Sequence, residues 1–427
     1  MTRVVVIGAG LGGLIAATRL ARSGVGVTLL AKGLGGLPLS PGVVDVWGDQ
    51  TDAPDSLLTP TTRAALTGSD ALAPLDRVAA APAGHPYAAI GVDAVRTGLA
   101  FVRELSDGLL EGDESENVLL PTAVGAMRPT CLAQPSMLAG RCVDGARFAI
   151  VGLKRLKDFH PVLIAGNLSR TPLPGGGNVH ARPLMVDVPA RTGEADSSGL
   201  TYARAFDSSG FALRLAASIR PLLEDGETVG LPAVLGLRPG AWRALEDELG
   251  HRVFEIPLPP PSVPGLRLND VLTAAAKAAG VRVVLGSRAT SPKVESGLVV
   301  SVAIESAGHP REFHADAFIL AAGGFEAGGL AIDSYGTVTE TLFALPVSSV
   351  PAPFDANPWA PQALFAMGVR VDETMRPLGA SGIPVHENLY AIGGVLGGAQ
   401  RWREKSGEGI ALGSAIKAAD AIVRRLA

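Results

Sequence analysis

Val4-Val5-Val6-Ile7-Gly8-Ala9-Gly10-Leu11-Gly12-Gly13-Leu14 is the stretch on which the reading of this chain turns. Four β-branched residues run straight into Gly-x-Gly-x-x-Gly, with its glycines at Gly8, Gly10 and Gly13. An Ala-containing helical stretch follows at residues 15–21. Strand, glycine turn and helix in this order open a dinucleotide-binding βαβ unit. Gly8 permits the tight turn, Gly10 lets a phosphate approach the backbone, and Gly13 lets the helix pack close to the strand. The phosphate would rest on the unpaired N–H groups of the helix N-terminus, so Ala9, Leu11 and Gly12 belong to the same expected site. A secretory signal peptide is the competing reading, since Arg3 precedes an apolar run. Glycines inside the run and the lack of a small-x-small cleavage site argue against it.

The 427 residues have room for two or three domains or one large discontinuous one. Net charge is −4 with both signs dispersed and no basic stripe, which argues against a nucleic-acid partner. Apolar runs are broken by Gly, Pro or Arg, and none reaches the ~18 residues of a membrane span. Cys131 and Cys142 are the chain's 2 cysteines, too few for a four-thiolate zinc site or an iron–sulfur cluster. A reducing cytoplasm fits, and a redox role would leave onward electron transfer to another protein.

Periodicity predicts a strand at 4–7, a helix over 11–23 and a strand at 26–30. Residues 33–48 read as a loop, and 51–86 as surface loops and short helices. A helical pattern covers 93–110. Strands are expected near 148–153 and 184–188, and helices over 211–223 and 241–249. The proline-rich run 257–265 reads as an extended connector. Beyond it come a helix over 267–279, a strand at 281–285 and short alternating strands over 288–314. Two buried strands ending in small residues, at 316–324 and 388–394, precede a helix from Gly407 to about residue 425. The late strands would complete the sheet begun at Val4. The expected fold is α/β: a Rossmann-like FAD/NAD(P)-binding fold, three-layered with a parallel central sheet, and an inserted α+β substrate or capping domain. The flavin-binding part is discontinuous, 1–75 and 266–427, with 76–265 inserted.

Ala321-Ala322-Gly323-Gly324 resembles the Ala-x-Gly-Gly strand end of fumarate-reductase-like flavoproteins. Gly393 and Gly394, followed by Gly409 and Ile410 opening a helix, match where such proteins seat the flavin ring and ribityl chain. The N–H groups at 409–411 would then stabilise negative charge on a reduced flavin. Strand two ends Leu29-Leu30-Ala31-Lys32, without the Asp or Glu that usually binds the adenosine ribose. FMN is therefore the expected cofactor, with FAD the alternative. Lys32 either balances a phosphate or is simply solvated.

Several segments taken together resemble the B subunit of anaerobic glycerol-3-phosphate dehydrogenase. They are Ser40-Pro41-Gly42-Val43-Val44-Asp45, the stretch from Leu258 to Leu268, the stretch from Met367 to Pro377, and Ile392-Gly393-Gly394-Val395-Leu396-Gly397-Gly398. Ala399-Gln400-Arg401 departs from the aromatic-Asp-Pro of that pattern. The resemblance covers nearly the whole chain and adds Ser40 and Gly42 to the cofactor candidates. It implies an FMN-binding subunit that works with an FAD-containing catalytic A subunit, together with a membrane-bound iron–sulfur C subunit. Such an assembly oxidises sn-glycerol 3-phosphate to dihydroxyacetone phosphate and delivers electrons to quinone. The chain would be cytoplasmic, or peripheral on the inner face of the membrane through its partners.

Arg267 and Arg376 are the substrate-phosphate candidates, because a guanidinium can bind phosphate bidentately. Structural ion pairs, such as Arg376 with Asp372 or Glu373, are the competing account. His160, His251, His309, His314 and His386 show no metal-ligand spacing, so no metal is expected. No catalytic base stands out, which leaves electron relay as one role for the subunit. Other readings are a stand-alone flavin oxidoreductase of fumarate-reductase or ketosteroid-dehydrogenase type, and a non-catalytic scaffold subunit with a degenerate flavin site.

Overall fold

A computed structural model describes residues 2–48, 74–208, 210–305 and 311–426. The expectations for 51–73 and for His309 lie outside these residues. Five parallel strands form the central sheet, in the order Leu389–Ala391, Ala317–Leu320, Arg3–Ile7, Gly26–Ala31, Arg282–Leu285. The Ala317–Leu320 and Leu389–Ala391 strands are buried at every residue, as is Val4–Ile7 of the first. Continuous burial of this kind requires cover on both faces of the sheet. Helices Leu11–Arg22, Val263–Ala278 and Gly407–Leu426 supply one layer. The antiparallel sheet of Ala289–Glu295, Leu298–Ile304 and Arg311–His314 contributes Val299, Val302, Ile304 and Phe313 to the same core. Buried Asn388 ties the two sheets: its amide oxygen accepts from the Val299 N–H at 2.9 Å, and its NH2 donates to the Val299 carbonyl at 2.7 Å.

The insertion has its own core, running in sequence from Leu119 to Ile256. It holds an antiparallel hairpin, Val118–Pro121 with Met127–Thr130, and a four-stranded parallel sheet. That sheet is ordered His180–Val186, Arg147–Leu153, Thr228–Pro232, Val253–Ile256, with helices in the crossovers. Residues 76–110, expected with the insertion, pack into the first core instead. The helix Val92–Leu105 lies along the final helix, burying Val95, Leu99 and Val102 there. Its amphipathic pattern announces a buried face but not what covers that face.

Two local expectations change. The run 257–265 is a connector only in its first half, because Ser262 caps a helix that begins at Val263. Its hydroxyl accepts from the Gly265 N–H at 3.1 Å, and Pro264 sits in the first turn, where its missing N–H costs nothing. The loop 33–48 is irregular as expected, yet Val43 to Trp47 are all buried. Val44 bridges to Leu132 of the insertion, which carries Asp45 into the interior.

Candidate functional site

The carboxyl ends of the central strands open on a cleft of about 1210 Å³. This exceeds the roughly 300–1,000 Å³ of common small-ligand pockets. Its floor is the first turn, residues 8–13, followed by the helix Leu11–Arg22. A Cβ on Gly8 would lie 2.1 Å from the Ala321 carbonyl oxygen, and one on Gly13 would lie 2.0 Å from the Gly8 carbonyl oxygen. Both glycines therefore serve close backbone packing. Gly10 differs: a Cβ there would meet nothing within 4 Å, so its open side faces the cleft. Gly10 caps the helix without a side-chain bond, and no acidic residue occupies the first turn. The N–H groups at this end are thus available to an anion.

One arm of the cleft passes Ala31 and Lys32 and continues to Ser287, Arg288 and Ala289 beyond the edge strand. The other passes Gly323, Gly393 and Gly394 to Gly407, Glu408 and Ala411 at the final helix. Ser40 lines the cleft, its hydroxyl donating to the Leu37 carbonyl at 2.9 Å and accepting from the Gly42 N–H at 3.2 Å. Gly42 itself is turned away, packed against Pro264. Gly409 and Ile410 do not line the cleft among its described walls: the Gly409 N–H donates to the Asp45 carbonyl at 2.9 Å, and the Ile410 N–H to Ser406 at 3.0 Å. The residues at this corner are Gly407 and Glu408, two positions earlier. Arg401 donates to the Gly394 carbonyl and lies 3.5 Å from Glu326.

Arg267 and Arg376 both lie away from the cleft walls. Arg267 is buried and bidentate on Glu255, at 2.6 and 2.9 Å, with further bonds to the Gly236 carbonyl and Gln134. Arg376 is held by Asp372 at 2.9 Å and by Glu387 at 2.5 Å. Both guanidiniums are thus engaged in ion pairs within the chain.

Sequence reasoning missed a charged cluster at the inner end of the cleft. Arg128, from the hairpin of the insertion, lines the cleft and donates from Nε to Asp45 Oδ2 at 2.6 Å. Asp45 is buried, and its Oδ1 has no hydrogen-bond partner. Glu408, half-buried, forms part of the cleft wall close by. Burial and then the Asp45 charge push the Glu408 carboxyl up to about 7, opposed by Arg128 and by N–H groups of Asp45 and of Glu408 itself. Behind the cluster, the Tyr87 hydroxyl donates to the Val46 carbonyl at 2.6 Å, and burial raises its pKa well above the usual value. His85 Nδ1 accepts from the Tyr87 N–H at 3.1 Å, which leaves the ring proton on Nε2 for Glu404 at 3.2 Å. A signal existed for Asp45, inside the Ser40–Asp45 motif, and for Glu408, between two helix-opening glycines. None existed for Arg128. A smaller recess of about 220 Å³, lined mainly by apolar residues, lies on the other side of Arg128, between Leu39, Leu120, Met137 and Leu258.

The FAD binding domain family matches residues 3–410 of the chain. A Halobacterium salinarum protein, named as the probable B subunit of anaerobic glycerol-3-phosphate dehydrogenase, is 33% identical over 98% of this chain and 97% of its own length. The Pectobacterium atrosepticum protein named as the B subunit of the same enzyme is 30% identical over 99% and 98%. Among solved structures, 3-ketosteroid delta1-dehydrogenase from Sterolibacterium denitrificans is similar at TM-score 0.42 and 13% identity, covering 100% of both chains. An open flavocytochrome c3 fumarate reductase is similar at TM-score 0.43 and 11% identity, over 99% of this chain and 78% of its own. The expectation of FMN as the main cofactor is not supported. A missing carboxylate after Ala31 removes one ribose bond, but the cleft wall still continues past Lys32 to residues 287–289, and the matching family is an FAD binding domain family. Among the described residues, no helix is long and apolar enough to cross a membrane. The chain is a flavin-binding oxidoreductase and belongs to the family of anaerobic glycerol-3-phosphate dehydrogenase B subunits.

Proposed function

We propose that this chain is the flavoprotein subunit of a quinone-linked glycerol-3-phosphate dehydrogenase, that it holds FAD, and that it works with partner subunits. One observation carries the reading: a single cleft joins an uncapped helix N-terminus, an arm past Lys32 and an arm ending at Glu408 and at Arg128, which is backed by buried Asp45. The turn 8–13 would hold the pyrophosphate, and Lys32 with residues 287–289 would flank the adenosine half. Gly323, Gly393, Gly394 and Gly407 would flank the flavin ring. A bound flavin would supply the two-electron acceptor for oxidation of an alcohol. Arg128, Arg401 and Lys405 all line the cleft, and an anionic substrate such as glycerol 3-phosphate would draw on their summed charge. Two buried cysteines in separate cores cannot assemble a cluster with four thiolate ligands, so onward transfer falls to an iron–sulfur partner and then quinone.

The test is purification of the chain together with its A- and C-type partner subunits, followed by mass analysis of heat-released flavin and assay of glycerol 3-phosphate oxidation with a quinone. FAD released from this chain and substrate-dependent quinone reduction by the assembly are expected. FMN alone, or no substrate-dependent reduction, would overturn the reading.

A further inference from the structure

We propose that Glu408, backed by the buried Asp45–Arg128 pair, is the proton-transfer group of the cleft and accepts the hydroxyl proton of the alcohol being oxidised. The inference rests on the flavoprotein reading above. The cluster is built, not incidental. Asp45 reaches the interior because Val44 bridges to Leu132, and its main chain is clamped to the final helix by the Gly409 N–H at 2.9 Å. Its carboxylate is buried with Oδ2 on Arg128 and Oδ1 unpartnered. A buried acceptor left unpaired is costly and calls for a function. Glu408 stands in the first turn of the helix, on the cleft side, where a substrate can reach it.

Charge counting points the same way. Two carboxylates, Asp45 and Glu408, face one guanidinium, Arg128. Other ionisable groups near the cluster are Tyr87 on the helix Pro86–Ile90, Cys131 beyond the hairpin, Glu404 with its partner His85, and the cleft-wall cations Arg401 and Lys405 before the final helix. Burial keeps the Tyr87 and Cys131 protons on, and Glu404 is engaged by His85 and Ser406. Asp45 and Glu408 thus carry one negative charge more than Arg128 balances when both are ionised. Of the nearby cations, Arg401 is engaged by Glu326 and the Gly394 carbonyl and Lys405 by the Trp402 carbonyl, and Glu408 is the acid on the cleft wall. Burial and the Asp45 charge hold its carboxyl at about 7, which suits exchange of a proton at neutral pH. In the step itself the substrate O–H bond breaks and its proton goes to a Glu408 carboxylate oxygen. The carbinol C–H hydrogen would leave with its electron pair to the flavin that the cleft would hold, and the carbon–oxygen bond would become a carbonyl. Asp45 and Arg128 are positioning residues in this account.

The test uses the full chain with its partner subunits, as wild type, Glu408→Gln, Glu408→Asp and Asp45→Asn, matched for flavin content. Infrared titration without substrate should show one protonated carboxyl that ionises near pH 7 and is missing in Glu408→Gln. Rapid-mixing reduction of the bound flavin by glycerol 3-phosphate should rise with pH through the same midpoint. Glu408→Gln should lose about 100-fold or more in that rate and all of that pH dependence. Glu408→Asp should keep the profile at a lower rate, and Asp45→Asn should move the midpoint down. A Glu408→Gln enzyme with the wild-type rate and profile would overturn the proposal, as would a wild type lacking the titrating carboxyl. If wild-type flavin is not reduced by glycerol 3-phosphate at all, the substrate reading fails, while the infrared titration still decides the carboxyl.

Discussion

Arg267 and Glu255 form a fully buried bidentate ion pair, 2.6 Å at its shorter contact, that locks the inserted unit to the helix Val263–Ala278. Glu255 sits on the strand Val253–Ile256, and the guanidinium also takes the Gly236 carbonyl and Gln134. Removing one partner leaves an unpaired buried charge, at a cost of about 3–5 kcal/mol. Arg267→Met should therefore lower Tm sharply in thermal unfolding, while the folded fraction keeps its flavin content and its KM for glycerol 3-phosphate. A selective rise in KM without loss of stability would instead return Arg267 to substrate binding. Arg267→Met with Glu255→Leu should recover part of the lost stability, since the orphaned carboxylate is removed as well.

The glycine turn separates two roles that sequence alone merges. Gly10→Ala adds a methyl group where nothing lies within 4 Å, at a backbone φ of −74° that alanine adopts freely. Stability should change by no more than about 0.5 kcal/mol, yet the methyl group projects toward the phosphate path. Flavin affinity should fall by about tenfold or more, the equivalent of about 1.4 kcal/mol. Gly13→Ala drives a Cβ to 2.0 Å from the Gly8 carbonyl oxygen, so it should lower Tm and flavin content together. Calorimetry alongside a flavin titration separates the two variants.

How much was legible follows from how local each signal is. The first strand, turn and helix are contiguous, so Gly8, Gly10 and Gly13 are readable from spacing alone. The strands at 316–324 and 388–394 are short and buried on both faces, and their small terminal residues mark them. Other features depend on pairing across the chain. Arg128 meets Asp45 across 83 positions, and no periodicity announces that contact. Arg267 looked like an anion binder because its partner, Glu255, lies outside its own motif, whereas Asp372 lies within the motif of Arg376 and that ion pair could be read as the competing account. The Gly409 N–H was expected at the ligand, but the buried Asp45 carbonyl takes it, and only the packed loop reveals that acceptor.

Cys131 and Cys142 are buried in separate cores, and burial pushes both thiols up to about 12. The reactive species is the thiolate, so the native protein should react with a thiol reagent far more slowly than a free cysteine does. Adding denaturant should release both thiols together with unfolding. Rapid labelling of either cysteine in the native protein would contradict this packing.

Glu408 gives a pH prediction whose sign can be worked out without any ligand. Its folded-state value, about 7, lies above the ordinary carboxyl value of 4.5. Between these two values the folded chain binds more protons at this site than the unfolded chain does. Stability from this group is therefore lost as pH rises from about 4.5 to about 7, and the loss is complete above that. Over about 2.5 pH units the ceiling is about 3 kcal/mol, and solvent screening at the half-buried carboxyl brings it to the order of 1–2 kcal/mol. Glu408→Gln keeps the shape and removes the charge, so it should be more stable than wild type at pH 8 and close to it at pH 4.5. Urea unfolding of both proteins across this range measures the difference directly. A difference that shrinks toward pH 8, or reverses sign there, would show that the Glu408 carboxylate is favourably held, and the cluster would then lack the excess negative charge on which its proton chemistry rests.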